Sequence, residues 1–402
     1  MKTQLVATRC PVCDHAVAAP FFDGGEQTLA TLAWPPTRVE AQKLPRHRHD
    51  FVQCPACTHV WNRSFRYDAI PYENNPNRMF NQGGIWRGHL AASRDVLLAR
   101  LPANPVVVEI GCGEGHFIRG LAESRPGGRY VGFDPNGSAG TGLGVEFYAR
   151  LFNPLDDMET FAPDAIVIRH VLEHLTEPVA LLEPLAWGAA ALGKPCYLFA
   201  EVPCIDRVFE SRRLADFFYE HVSHFSTDSF QTLMRRTGDV ETLSHGYDGE
   251  VVYALVEMQV SAERQHRAAQ SNAFAVTAQA SRATIARQLD ALAASGKRVA
   301  IWGGTGKAAA FIHQFGADAT RFPLVVDSDP EKVGTFVPGA GQTIELGDIL
   351  TTAPADVVII PTQWRAKDIV AEMERKGIRA ERVLIEHDGR LTDFFQEPHP
   401  YR

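Results

Sequence analysis

The sequence predicts an α/β protein of three domains, in which two doubly wound units follow a small amino-terminal domain held together by a metal ion. Three observations predict it. Apolar strands alternate with helical segments in residues 86–257 and again in 297–402, and that alternation is the sequence form of a parallel sheet covered on both faces. Residues 1–85 are instead rich in Cys, His, Pro and Arg, as in a domain with too little apolar surface to fold unaided. The length of 402 residues gives between two and three domains at about 150 residues each.

Composition excludes several classes. Hydrophobic residues make up 45% and charged residues 22% of the chain, values of a globular protein and not of a disordered or fibrous one. Forty basic against 48 acidic side chains leave a formal charge of -8, which argues against a nucleic-acid partner bound by neutralising phosphates. The longest apolar stretches fall short of the roughly 20 residues that a membrane helix needs. The start, MKTQLVATRCPVC, lacks the apolar run of a signal peptide, so a cytoplasmic protein without a membrane partner is expected.

Seven cysteines are too few and too unevenly placed for a disulfide framework. Four of them form two pairs of the same C-P-x-C form, Cys10 with Cys13 and Cys54 with Cys57. Two such knuckles point four thiolates at one ion, and a closed four-sulfur shell suits structural zinc. A redox pair or unrelated free thiols are the alternatives. His15, His47, His49 and His59 lie nearby and are expected at the surface unless one replaces or orients a ligand.

The second domain is expected over 86–257. Its helix RGHLAASRDVLLARL leads into the strand PVVVEIG, then the helix GHFIRGLAES, the strands RYVGFD, VEFYARLF and DAIVIRH, the helix EPVALLEPLAWGAA and the strand PCYLFAEVP. Between the first strand and the next helix stand Gly111, Gly113 and Gly115, with Glu109 inside the strand end and Asp134 closing the following strand, 19 residues after Gly115. Glycines at alternate positions let the backbone approach a flat ligand, and an acid at the second strand's end accepts ribose hydroxyls. The E-x-G-x-G-x-G form is similar to the S-adenosylmethionine site of class I methyltransferases. A nicotinamide cofactor or a purely structural turn are the alternatives.

After the fourth strand comes Arg169-His170-Val171-Leu172-Glu173-His174. Ligands in such sheets bind outside the carboxyl ends of the strands, so this cluster belongs to the site, with Arg169 and His170 on the cofactor side. Glu173 could instead cap the following helix. Residues Asp216 to Ser226 read DFFYEHVSHFS, which joins Tyr219, Glu220, His221 and His224 in one segment able to take a proton and stabilise an oxyanion. The alternative is a segment whose polar groups satisfy one another.

Residues 258–296 are expected to form a helical connector, with Ile285, Leu289 and Leu292 at i, i+4 and i+7. A second, smaller Rossmann-like unit over 297–402 opens with RVAIWGG and KAAAFIHQF. There Gly304, Gly306 and Lys307 start a helix, and Asp327 lies 21 residues past Gly306. That spacing resembles a dinucleotide fingerprint. Substrate support, a scaffold role and bound nicotinamide all remain open for this loop.

Together these segments resemble the three-domain sugar C-methyltransferases, which act on nucleotide-linked keto-sugars. The resemblance spans nearly the whole chain: the double CxxC domain, VVEIGCGEGHF, RHVLEH, DFFYEHVSHFS, and VAIWGGTGKAAAF with VVDSDPEKVGTFVPGAGQTI. It implies a class I methyltransferase core, S-adenosylmethionine and structural zinc as cofactors, and a small-molecule substrate, a nucleotide-sugar. It also implies that a base removes the proton beside a ketone and that the enolate attacks the methyl group. On this resemblance His221 is the base, while His174, Tyr219 and Tyr72 hold the enolate or substrate, and Glu220 orients a histidine. His224 stands where a tyrosine is common in such segments. O- or C-methylation of another small acceptor is the alternative. Because the chain is acidic overall, phosphate contacts are expected locally, at Lys307, Arg169 and the run Arg46 to His49.

Overall fold

The computed structural model describes residues 4–70, 81–136 and 144–402. They form two compact units, Met1–Ser261 and Ala262–Arg402. The first unit begins with β1 (Val6–Ala7), β2 (Val17–Gln27), the short α1 (Arg38–Gln42), β3 (His47–Gln53) and β4 (Val60–Asn62). Next come α2 (Gly84–Leu98), β5 (Val106–Ile110), α3 (His116–Ser124), β6 (Arg129–Phe133), β7 (Val145–Tyr148), α4 (Asp156–Phe161), β8 (Ala165–Arg169), α5 (Pro178–Ala191) and β9 (Tyr197–Pro203). The unit ends with α6 (Asp206–Ser211), β10 (Ser223–His224), α7 (Thr227–Met234), β11 (Gly238–Gly246) and β12 (Val251–Met258).

The main sheet runs β11-β12-β9-β8-β5-β6-β7. Strands β7, β6, β5, β8 and β9 are parallel, and β12 is antiparallel to both β9 and β11. Side chains alternate along each central strand, as the two-residue period of a strand requires. Val108, Ile110, Val131, Ile166 and Ile168 join one core with α5 residues Leu182 and Leu185. Val107, Tyr130, Ala165 and Val167 join the opposite core with Phe117, Ile118 and Leu121 of α3. A sheet covered on both faces needs strands apolar throughout, which is why VVVEI and AIVIR carry so few polar residues. The hairpin β11 and β12 was not among the expected strands. Its outer member GDVETLSHG is only half-buried and alternates too loosely to stand out.

The amino-terminal sheet runs β1-β2-β3-β4-β10. Its last strand is not part of residues 1–85. Ser223 pairs with Trp61 and His224 with Val60, so the segment DFFYEHVSHFS supplies the edge strand of the cysteine-bearing domain.

The second unit contains α8 (Ala262–Ala294), β13 (Val299–Trp302), α9 (Lys307–Phe315), β14 (Leu324–Asp327), β15 (Ile344–Leu346), α10 (Ile349–Thr352), β16 (Val357–Ile360), α11 (Ala366–Lys376), β17 (Arg382–His387) and β18 (Arg390–Asp393). Its sheet order is β15-β14-β13-β16-β17-β18, parallel except for β18. The expected connector helix is a working part of this unit, because Ile285 and Leu289 are fully buried in its core. Phe274 and Val276, earlier on the same helix, are exposed. No described helix is long and apolar enough to cross a membrane.

Candidate active site

Strand β5 ends in a loop whose three glycines all take left-handed backbone angles, with φ of 71° at Gly111, 52° at Gly113 and 75° at Gly115. A β-carbon on Gly111 would lie 2.3 Å from Val171 Cγ2, so glycine is what lets the loop meet the turn after β8. The Gly113 amide donates to Asp134 Oδ2 at 3.0 Å, and Asn136 donates to Oδ1 at 2.9 Å. Asp134 thus clasps the loop from the end of β6. Glu109 is turned the other way. It is buried and accepts the Ile118 amide at 3.1 Å in the first turn of α3, so it braces the loop from inside the fold. Burial pushes its carboxyl up to about 8, although Arg169 pulls in the opposite direction.

Arg169 and His170 belong to a buried ionic cluster. Glu201 of β9, an acid in the otherwise apolar strand YLFAEVP, is fully buried. Arg169 donates to its Oε1 at 2.6 and 3.1 Å, His170 Nε2 lies 3.2 Å from the same oxygen, and His89 of α2 bonds Oε2 at 2.7 Å. The Arg169 guanidinium also sits 4.4 Å from the Phe117 ring centroid. These contacts occupy Arg169, so the structure corrects its expected role as a phosphate contact. Burial opposes charge on Glu201, but Arg169, His170 and His89 outweigh it and hold the carboxyl well below the ordinary range. His170 carries a φ of 54°, uncommon for a residue with a side chain. Burial disfavours its charge, yet contact with Glu173 and Glu201 raises it to about 9. Glu201 and His89 were missed in the sequence. A lone acid in an apolar strand was the available signal for Glu201, and none marked His89.

The segment after α6 brings His221 against His174, with ring centroids 4.9 Å apart. His174 is buried, and its Nδ1 meets the Glu220 carbonyl oxygen at 2.8 Å. It is therefore the Glu220 backbone that orients a histidine. The Glu220 carboxylate, fully buried, accepts the amides of Ala30, Thr31 and Leu32 at 2.7 to 3.1 Å. This corrects the expectation that the carboxylate itself would hold an imidazole. Burial, then the neighbouring His174, His224 and His170, keep the His221 imidazole well below its usual range.

Tyr219 is also placed away from the histidine pair. Its hydroxyl accepts the Arg66 amide at 3.0 Å, and its ring stacks on His47 and Phe65. It secures the loop after β4, in place of the expected contact with an enolate. His224, on β10, packs against Phe51 and Phe217, and burial pushes it down to about 3. Glu173 caps nothing, since α5 has no side-chain cap. Tyr72 lies outside the described residues.

The four cysteines converge. Cys10 and Cys57 sulfurs are 3.6 Å apart, Cys13 and Cys54 sulfurs 3.5 Å, close to the roughly 3.8 Å edge of a zinc–sulfur tetrahedron with 2.3 Å bonds. The Cys57 hydrogen bond lowers Cys10 to about 6, whereas burial raises Cys54 to about 11. Four thiolates in that space need a cation's charge, and the donor set fits zinc. His49 and His59, expected at the surface, are fully buried. His59 packs against Trp61 and Phe225.

The second unit repeats the loop-and-acid device of the first, with the Gly304 amide donating to Asp327 Oδ2 at 3.1 Å. Here, however, Lys332 Nζ also reaches that oxygen at 3.2 Å. Of the basic run, Arg48 is paired with Asp23 at 2.7 Å.

A family model described as "Methyltransferase domain" matches residues 85–238, and one described as "C-methyltransferase C-terminal domain" matches residues 242–385. Several solved structures are similar. One is from the complex between the Haloferax volcanii Trm112 methyltransferase activator and the putative methyltransferase, at 14% identity over 43% of this chain and 90% of that one, with a TM-score of 0.34. Another is an O-methyltransferase family protein from Burkholderia thailandensis, at 17% identity, 44% and 56% coverage and a TM-score of 0.32. A third is the N-methyltransferase NodS from Bradyrhizobium japonicum WM9, at 15% identity, 45% and 100% coverage and a TM-score of 0.30. No curated protein matches.

Proposed function

Starting from a chain that is an S-adenosylmethionine-dependent methyltransferase of the C-methyltransferase family, we propose that it methylates carbon in a keto-sugar carried on a nucleotide. The observation that carries this reading is the imidazole pair, His221 against His174. Carbon becomes a nucleophile at neutral pH only after a proton is removed and the oxyanion is held. His221 supplies the acceptor for that proton, because burial keeps it uncharged. His174 donates from Nδ1 to the Glu220 carbonyl, and would give a hydrogen bond from Nε2 to the developing oxyanion when that nitrogen also carries a proton. Gly111, Gly113, Gly115 and Asp134 would hold S-adenosylmethionine, which supplies an electrophilic methyl group when bound. Cys10, Cys13, Cys54 and Cys57 would hold a structural zinc ion.

Incubating a keto-sugar nucleotide with the protein in heavy water, without methyl donor, tests the base. The expected result is deuterium at the carbon beside the ketone, slowed about 100-fold or more by His221→Asn. Absence of exchange, or exchange unchanged by the substitution, counts against the reading. Thermal shift tests the cofactor: S-adenosylhomocysteine should raise Tm and NAD should not.

A further inference from the structure

The histidine pair has a third neighbour that proton transfer does not use. Nitrogen atoms of His174 and His221 and a carboxylate oxygen of Glu173 all lie within 4.8 Å of one another. Glu173 is 2% exposed, and neither of its buried oxygens has a hydrogen-bond partner among the described residues. The nearest cation, His170, stands 3.4 Å from one oxygen, an ion-pair contact outside hydrogen-bond geometry. A buried carboxylate left in this state is costly, and such a group calls for an ion or water to complete it.

We propose that Glu173, His174 and His221 form a second metal seat, separate from the four thiols, for a divalent ion of the zinc, cobalt or nickel kind. Two imidazoles and one carboxylate are the donor set these ions prefer, whereas magnesium and calcium prefer oxygen alone. Donors around such an ion sit about 3 to 3.5 Å apart, so small rotations of the partly buried His221 close the set. The outer contact is already in place: Nδ1 of His174 is held by the Glu220 carbonyl at 2.8 Å, the support that metal-bound imidazoles commonly have. Three protein ligands leave a further position open to a small molecule. An ion there takes the His221 lone pair that proton removal requires. It is therefore an inhibitor, a consequence that rests on His221 being the base, although the seat itself does not.

The test is a Co2+ titration of protein whose thiol site is filled with zinc, followed by visible absorption. One equivalent should bind with weak d–d bands and no thiolate-to-cobalt charge transfer, and Glu173→Gln and His221→Gln should each lose it while keeping the wild-type Tm in zinc alone. No cobalt bound, a thiolate band, or full binding retained by either variant overturns the proposal. Should a variant unfold, the other one decides. In the exchange assay, activity should fall in proportion to cobalt bound. Binding with undiminished exchange would leave the seat standing and overturn the assignment of His221 as the base.

Discussion

Gly111 and Gly113 share a left-handed backbone but differ in surroundings. A β-carbon on Gly111 collides with Val171, whereas one on Gly113 meets nothing within 4 Å. Gly111→Ala should therefore destabilise the fold by several times the roughly 1–2 kcal/mol of backbone strain that Gly113→Ala costs. Gly113→Ala should instead weaken S-adenosylhomocysteine binding by about tenfold, or ~1.4 kcal/mol, if the open space beside it is the proposed ligand site. Urea denaturation and calorimetric titration separate the two effects. Arg169 gives a second prediction. Its truncation to Ala leaves the buried Glu201 without its strongest partner, and about 3–5 kcal/mol of stability should be lost, with melting temperature as the readout. A loss of substrate affinity at unchanged stability would restore the phosphate role. The glycines and Asp134 stand out by their short spacings and His174 and His221 by their polar clusters, while the roles proposed for the two histidines come from the resemblance alone. The direction of the Glu220 carboxylate could not be read from the sequence, since the amides that fix it belong to residues 188 to 190 positions away.

At the level of elements, the junction of β5 and α3 depends on a single proton. The Glu109 carboxyl has a value of about 8 in the fold against 4.5 ordinarily. Between those pH values the unfolded chain has released the proton while the folded chain still binds it, so stability falls as pH rises through this window. Glu109→Gln keeps the acceptor for the Ile118 amide and removes the titration. The fall in Tm over this range should be several degrees smaller in the variant than in the wild type. Equal slopes would mean that Glu109 is ionised in the fold. The central strands were legible because burial on both faces writes itself as unbroken apolar runs. The β11 and β12 hairpin was less so, because an edge strand half in water follows no strict pattern. In α8, the stripe of Ile285 and Leu289 gave the helix, but not which unit would bury it.

For the whole molecule, the motifs suggest a boundary near residue 85, whereas the structure has one compact unit running through to Ser261. Strand β10 carries the cysteine domain's sheet into the segment that bears His221, starting two residues beyond it. Removing the proposed zinc should therefore reach further than the small domain. Chelation, or Cys54→Ser, is expected to lower Tm by about 10 °C or more and to abolish deuterium exchange as well. A chelated protein that melts lower but exchanges normally would show the two regions to be uncoupled.

The shared sheet also sets a timetable for folding. During synthesis the Ala30–Leu32 amides and the free edge of β4 must wait for Glu220 and β10 to emerge, and contacts of such long sequence separation form slowly. Until then the nascent chain presents an unpaired strand edge, the kind of surface that recruits other chains. A fragment ending before residue 220 should be caught by chaperones or aggregate even with zinc supplied, so the cysteine domain is not a module that can be cut out and carried elsewhere.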